Sequence, residues 1–287
     1  MAGTLFVVAT PIGNLEDITL RALRVLKEAD LVVAEDTRSA GVLLSRHGIK
    51  RPLLSCHEHN EEERAGQVIR ALAEGKRVGY VSEAGTPGVS DPGARLVARV
   101  TEAGYDVVPI PGPCAATAAL SASGLPADEF VFVGFLPPKA AARRKAIETL
   151  ANEPRTMVFY EAPHRVQEAL SELAAVLGNR RAAVFRELTK LHEEAVRGTL
   201  PEVSLRVAAK EPRGEYVLVV SGSPAPAAPI AVPAEELRVR VERLCAEGST
   251  RRDAVDRVAK EVHLPRRAVY AIVNLSTDDN PSSSGHI

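Results

Sequence analysis

Residues 81–93, Val-Ser-Glu-Ala-Gly-Thr-Pro-Gly-Val-Ser-Asp-Pro-Gly, bring together groups suited to holding a small ligand. They follow a strand-like run, Arg77–Val81, and precede a helical pattern over 94–101. A loop at the C-terminal end of a strand is where open α/β sheets bind their ligands. Gly85 and Gly88 permit left-handed backbone or close approach of a ligand. Asp91-Pro92 reads as a helix N-cap followed by proline at the first helical position. A plain βα turn needs only about two to six residues, so this longer, constrained segment reads as a binding loop. Four more polar, Gly- or Pro-bearing segments follow strand-like runs: residues 9–19, 35–38, 109–115 and 159–165. Loops of this kind in two successive α/β units suggest a cleft between two sheets.

The elements that must position these loops alternate. Strand-like runs fall at 5–9, 31–34, 77–81 and 106–110, with helical spacing at 20–29, 61–73 and 115–123, the last closed by Gly124. Short apolar strands between helices argue for a mostly parallel sheet covered on both faces. A second α/β unit has strands at 130–133, 156–160, 182–185 and 216–220 and helices at 140–150 and 165–177. A Pro/Ala-rich linker follows, then three short helices at 234–246, from Ser249 or Thr250 to Val262, and at 266–275. Their spacing resembles a helix-turn-helix unit. The expected fold is therefore α/β: an N-terminal domain over 1–124, a second over 125–222, a linker over 223–233, an all-α unit over 234–276 and a disordered tail over 277–287.

The chain has 287 residues and a formal net charge of −1. No global field draws it to nucleic acid, so an RNA surface must be local. Cys56, Cys114 and Cys245 are widely spaced and odd in number, which fits a reduced, cytoplasmic setting rather than disulfides or a metal site. The longest apolar runs are strand-sized, and no membrane partner is expected. His57 and His59, in Cys56-His57-Glu58-His59-Asn60, match no usual metal spacing and read as a capped, solvated loop.

The segments Thr10-Pro11-Ile12-Gly13-Asn14-Leu15, Glu35-Asp36-Thr37-Arg38, Ser82-Glu83-Ala84-Gly85-Thr86-Pro87, Pro111-Gly112-Pro113-Cys114-Ala115 and Tyr160-Glu161-Ala162-Pro163-His164-Arg165 resemble those of the tetrapyrrole-methylase superfamily. Within it they are similar to the bacterial 16S rRNA (cytidine 2′-O)-methyltransferases. One departure is Glu83, where the family pattern has aspartate; the charge is kept and a methylene added. The resemblance implies S-adenosylmethionine (SAM) bound in the cleft between the two α/β domains. It places Glu83, Gly85, Thr86, Val89, Cys114, Ala115, Tyr160, Glu161, Leu188 and Gly214 around it. Tyr160 reads equally as a core residue. SAM carries no phosphate, and neither G-x-G-x-x-G nor a Walker A segment occurs. The resemblance also implies a homodimer acting on 16S rRNA, within the 30S subunit.

A ribose hydroxyl is a poor nucleophile, so a base or polarising cation would assist it. Asp17, Glu35, Asp36, Lys139 and Glu187 are candidates, and the sequence does not choose among them. Asp17 and Thr19 are also potential caps for the helix at Leu20, and Asp36 could cap the next helix or bind Arg38. Pro11, Gly13 and Asn14 would line the acceptor side. Arg38, Lys139, Arg143, Arg144, Arg165, Arg266 and Arg267 are the local cations for RNA. Two rival functions remain: methylation of a tetrapyrrole precursor, and a non-catalytic, SAM-sensing nucleic-acid regulator.

Overall fold

The computed structural model describes residues 2–57, 59–224, 232–262 and 264–274. Met1, Glu58, residues 225–231 of the linker, His263 and the tail from 275 lie outside them. The chain divides into two compact units, Met1–Ser223 and Pro224–Ile287.

The first unit contains two five-stranded sheets. Sheet one comprises β1 (Thr4–Val8), β2 (Leu31–Ala34), β3 (Leu53–Ser55), β4 (Arg77–Val81) and β5 (Asp106–Ile110), in the order β3-β2-β4-β1-β5. Every pairing in it is parallel. Helices α1 (Leu20–Glu28) and α2 (Thr37–Arg46) cover one face with Ala22, Val25, Leu26, Ala40 and Leu44. Helices α3 (Glu61–Ala73) and α4 (Ala94–Glu102) cover the other with Val68, Leu72, Leu96 and Val100. Burial on both faces explains why these strands are almost wholly apolar.

This order creates a topological switch. The chain leaves β1 for one face and the adjacent β4 for the opposite face. Their loops separate at the C-terminal edge and open a crevice, the usual ligand position in such sheets.

Helix α5 (Ala115–Ser123) ends at Gly124, whose φ of 73° forms the left-handed cap. It packs Ala116, Ala119 and Leu120 onto Val158, Phe185, Val217 and Val219 of the second sheet. That sheet contains β6 (Phe130–Phe135), β7 (Thr156–Glu161), β8 (Arg181–Arg186), β9 (Glu194–Thr199) and β10 (Tyr216–Val220), in the order β6-β7-β10-β8-β9. Only β6 and β7 pair in parallel; the other three pairings are antiparallel. Tyr216 therefore opposes both Glu161 and Arg186, so the ends of β7 and β8 and the start of β10 share one edge. Helices α6 (Ala140–Thr149), α7 (Val166–Leu177) and α8 (Leu200–Ala208) cover the face away from α5.

The sequence pattern gives no assignment for α2, β3, α8 or β9. β3 has three residues, too few for a period. β9 alternates weakly (Glu-Ala-Val-Arg-Gly-Thr) and owes its place to pairing with β8. Helix α8 is started by a capping box between Thr199 and Glu202.

The second unit contains α9 (Ala234–Ala246), α10 (Arg251–Glu261) and α11 (Arg266–Asn274) around Leu237, Val241, Val255, Val258, Val269 and Val273. The Thr250 hydroxyl caps α10 by accepting from Asp253 N–H. Among the described residues no helix is long and apolar enough to cross a membrane.

Candidate active site

Backbone bonds stitch the loops of the switch point together. Thr10 N–H donates to Gly85 O (2.8 Å) and Gly85 N–H to Thr10 O (3.0 Å), linking the loops after β1 and β4. Gly85 has φ 75°, and a Cβ there would stand 3.2 Å from Ile12 Cγ2. The Thr86 hydroxyl donates to Pro113 O (3.1 Å), adding the loop after β5.

The expected Asp91-Pro92 cap is not formed. Gly93 is the N-cap of α4, with φ 127° and no side chain of its own. The carboxylate of Glu61, 4% exposed at the start of α3, accepts from Gly93 N–H (3.2 Å) and Leu96 N–H (2.9 Å) instead. A distant residue thus does the capping, and Asp91 is left to face the crevice. Ser90 beside it has φ 61°, a conformation that costs free energy and concentrates at functional sites.

The second sheet contributes its shared edge. The Tyr160 hydroxyl accepts from Ala116 N–H (3.1 Å) at the start of α5, and its ring packs edge-on to Phe132 and Phe135. Glu161 is buried; it accepts from Ala162 N–H (2.9 Å) and pairs with Arg165 (3.3 Å). Leu188 is presented by a loop in which Glu187 and Thr189 have φ 53° and 66°. Glu187 is tied to Lys190 Nζ (2.9 Å) and to Glu215 N–H (3.0 Å). Gly214 has no room for a side chain, since a Cβ would stand 2.3 Å from Glu187 Oε1. Asn14 N–H donates to the Thr189 hydroxyl (3.2 Å), and Gly13 lies against the Lys190 stem, so the loop after β1 leans on the second sheet.

Between the two edges lies a cavity of about 380 Å³, within the usual range for small-molecule sites. It gathers Gly85, Thr86, Val89, Cys114, Ala115, Tyr160, Glu161 and Leu188 from the expected set. Glu83 and Gly214 are not in its wall. Glu83 is exposed, its N–H facing Glu35 Oε2 at 3.5 Å, and Gly214 supports Glu187. Ile12, from the loop expected to lie across the cleft, is also in the wall, and Asp91, Phe135, Glu215 and Val217 are wall residues that the sequence reading did not assign. Asp91 was hidden by its resemblance to a cap. Glu215 and Val217 reach the site only through the antiparallel return of β10.

Three carboxylates, Asp91, Glu161 and Glu215, line the cavity. Burial, then the like charges of Glu35, Glu83 and Glu215, push the Asp91 carboxyl up to about 6. Burial also raises Glu161 and the Tyr160 phenol, which is therefore neutral. Glu187 is held below its usual range by the Lys190 hydrogen bond.

Residues 4–204 match the family described as Tetrapyrrole (Corrin/Porphyrin) Methylases. The chain belongs to the tetrapyrrole methylase family. It is 52% identical over 249 residues to the Ribosomal RNA small subunit methyltransferase I of Pseudomonas aeruginosa, covering 86% of this chain and 88% of that protein. It is 43% identical over 275 residues to the protein of the same name in Bacillus subtilis, covering 93% of each. Solved structures of a cobalt precorrin-4 methyltransferase (TM-score 0.59, 19% identity, 76% of this chain and 94% of that one) and of Thermus thermophilus uroporphyrin-III C-methyltransferase complexed with S-adenosyl homocysteine (0.54, 23%, 77% and 97%) share the fold.

The catalytic candidates are scattered around this family cleft. Asp17 lines a neighbouring hollow with Thr19, Gly112, Pro113, Cys114 and Thr189, and its Oδ2 is buried without a hydrogen-bond partner. Thr19, not Asp17, caps α1. Asp36 caps α2 and grips Arg38 (2.8 Å), whose hydrogen bond holds its carboxyl down at about 2. Lys139 is exposed at the start of α6.

Several expected RNA contacts already have protein partners. Arg143 is a correction: its side chain is 2% exposed and locked between Glu168 (3.0 Å) and Glu172 (2.8 Å), so it cannot reach a phosphate. Arg165 is spent on Glu161 and the Leu136 carbonyl. Arg144 pairs with Glu148 (3.2 Å) but stays exposed, and Arg266 pairs with Asp256 (2.7 Å). Arg267 is exposed. Pro11 is buried, and Asn14 caps the short turn over Leu15–Asp17. The His57 N–H and ring both engage Asn60, consistent with a capped loop.

Proposed function

We propose that this chain is a SAM-dependent rRNA methyltransferase that methylates the 2′-oxygen of a cytidine ribose in the decoding region of 16S rRNA, acting on the 30S particle. The observation that carries this reading is the 52% identity, across 86% of the chain, to a relative named for methylation of small-subunit rRNA. The tetrapyrrole enzymes share 19–23%, which speaks for the fold alone. S-adenosylmethionine is the methyl donor, and when bound it supplies a methyl group already activated on a sulfonium. The cavity suits it: the volume is sufficient, no cation is among the described residues of its wall, and three carboxylates line it. Gly85, Thr86, Cys114, Ala115, Leu188 and Asp91 would hold it.

The chain's own task is positioning, worth roughly 7–11 kcal/mol in well-oriented reactions. Tyr160 fixes the start of α5 against the second sheet, and the 187–190 loop seats Leu188 in the wall. Among base candidates Asp36 is the weakest, its carboxyl being held near 2 by Arg38. Asp17, with a buried and unpartnered oxygen in the adjoining hollow, is the strongest. Lys139, Arg144 and Arg267 remain as phosphate contacts. A homodimer in the cytoplasm completes the proposal; Leu191, 93% exposed beside the 187–190 loop, is one apolar group that a second copy would cover.

The test is tritiated-methyl transfer from SAM to 30S particles from a strain lacking 2′-O-methylcytidine in 16S rRNA, with mass mapping of the product. Label on a cytidine ribose is the expected result. No transfer despite calorimetric SAM binding would discard the rRNA substrate. Methylation of a corrin or porphyrin precursor instead would favour the tetrapyrrole reading.

A further inference from the structure

We propose that Asp91 is the residue by which this cavity distinguishes the sulfonium donor from its neutral thioether product. The inference rests on the methyltransferase reading and assigns a specificity role within that site.

Three carboxylates line the cavity: Asp91, Glu161 and Glu215. Two have protein cations. Glu161 pairs with Arg165 at 3.3 Å, and Glu215 pairs with Lys190 at 2.9 Å. Asp91 has no ion-pair partner among the described residues. Of the side chains that act most strongly on it, Ser82 alone favours its charged form, and Glu35, Glu83 and Glu215 carry its own sign. Tyr80 and Tyr160, the phenols closest to it in charge interaction, are kept neutral by burial.

A partly buried carboxylate without a counter-charge costs free energy, and the fold incurs more to keep it there. Glu61 displaces it from the α4 cap, and Ser90 accepts a left-handed φ of 61° next to it. Gly88 N–H donates to Pro92 O (3.2 Å), closing the loop around Asp91. The missing positive charge can come from the ligand. SAM carries a sulfonium, whereas S-adenosylhomocysteine, the same molecule without the methyl, is a neutral thioether. Coulomb attraction to the one wall carboxylate without a protein cation favours the more positive ligand. Loss of the methyl removes that attraction, so the product is held more weakly than the donor.

Calorimetry on the full chain at pH 7.5, with SAM and S-adenosylhomocysteine in separate titrations, tests this. Asp91→Asn is expected to weaken SAM about tenfold, the equivalent of one pKa unit of interaction, and to leave S-adenosylhomocysteine within about twofold. A second readout uses the unaltered chain. Titrations at pH 6 in two buffers of different ionisation enthalpy should show SAM releasing a proton, because it displaces the proton on Asp91, and S-adenosylhomocysteine releasing none. Glu35→Gln, outside the cavity wall, should move the pH midpoint of SAM affinity downward. Equal weakening of both ligands in Asp91→Asn, or equal proton release by both, overturns the proposal. Failure of the unaltered chain to bind either ligand overturns the methyltransferase reading and this inference with it.

Discussion

At the scale of single residues, the site depends on side chains whose partners lie far away in sequence. Gly214 is one. Its φ of 75° and the 2.3 Å approach of a Cβ to Glu187 Oε1 leave no space for a methyl. Gly214→Ala should lower stability by about 1–3 kcal/mol through backbone strain and loosen the loop carrying Leu188. A lower melting temperature together with weaker SAM binding would establish this; unchanged SAM binding would separate Gly214 from the cavity. Arg143 makes the opposite point. It lies in a run of cations that invites an RNA reading, yet its guanidinium bonds Glu168 and Glu172. Arg143→Ala should cost about 1.5–3 kcal/mol, as for hydrogen bonds to charged groups. It should leave RNA affinity unchanged; denaturant unfolding beside RNA binding reads both.

At the scale of elements, α4 begins where Glu61 tells it to. Glu61→Ala removes the acceptor for two buried N–H groups at its first turn, a change that typically costs about 1–3 kcal/mol. Because the same carboxylate keeps Asp91 out of the cap, the variant should also weaken SAM. Urea melts and calorimetry would show the two losses together, and a stability loss alone would mean Asp91 keeps its place without Glu61. In the second unit, α11 carries Arg266 and Arg267, of which Arg266 is engaged with Asp256. Under the proposed function Arg267→Gln should reduce the slope of log affinity for RNA against log salt by about one contact, roughly 0.7–0.9. An unchanged slope would remove α11 from the RNA surface.

At the scale of the whole molecule, the uncompensated carboxylate shapes the pH response. The Asp91 pKa in the folded chain is about 6, above the value near 4 of an unfolded aspartate. The folded state therefore binds the proton more tightly. Stability from this group is fully present below pH 4 and is lost as pH rises through 6. Asp36 and Glu153, held at about 2 by Arg38 and Arg155, act in the other sense and lose their contribution as pH falls. Ligand-free Asp91→Asn should consequently melt higher than the unaltered chain at pH 7.5 and no higher at pH 4. Identical melting at pH 7.5 would show that Asp91 is not strained by its neighbours.

What the sequence determines by itself is local. Apolar runs bounded by Gly and Pro marked most strands to within a residue or two, because burial on both faces of a sheet leaves no alternative composition. Ala115–Ser123 with its closing Gly124 was legible for the same reason. The loop motifs were legible because their length and glycine content have no use in a plain turn. Tertiary structure decided the rest. The three antiparallel pairings of the second sheet bring Glu215 and Val217 to the cavity, and nothing near them in sequence signals it. Glu61 caps a helix about thirty residues away, which turns Asp91 from an apparent cap into a wall residue. Arg143 became a buried ion pair because α6 packs on α7. Charge and hydrogen-bonding capacity are written in the residue, but which partner satisfies them depends on which elements the fold makes neighbours.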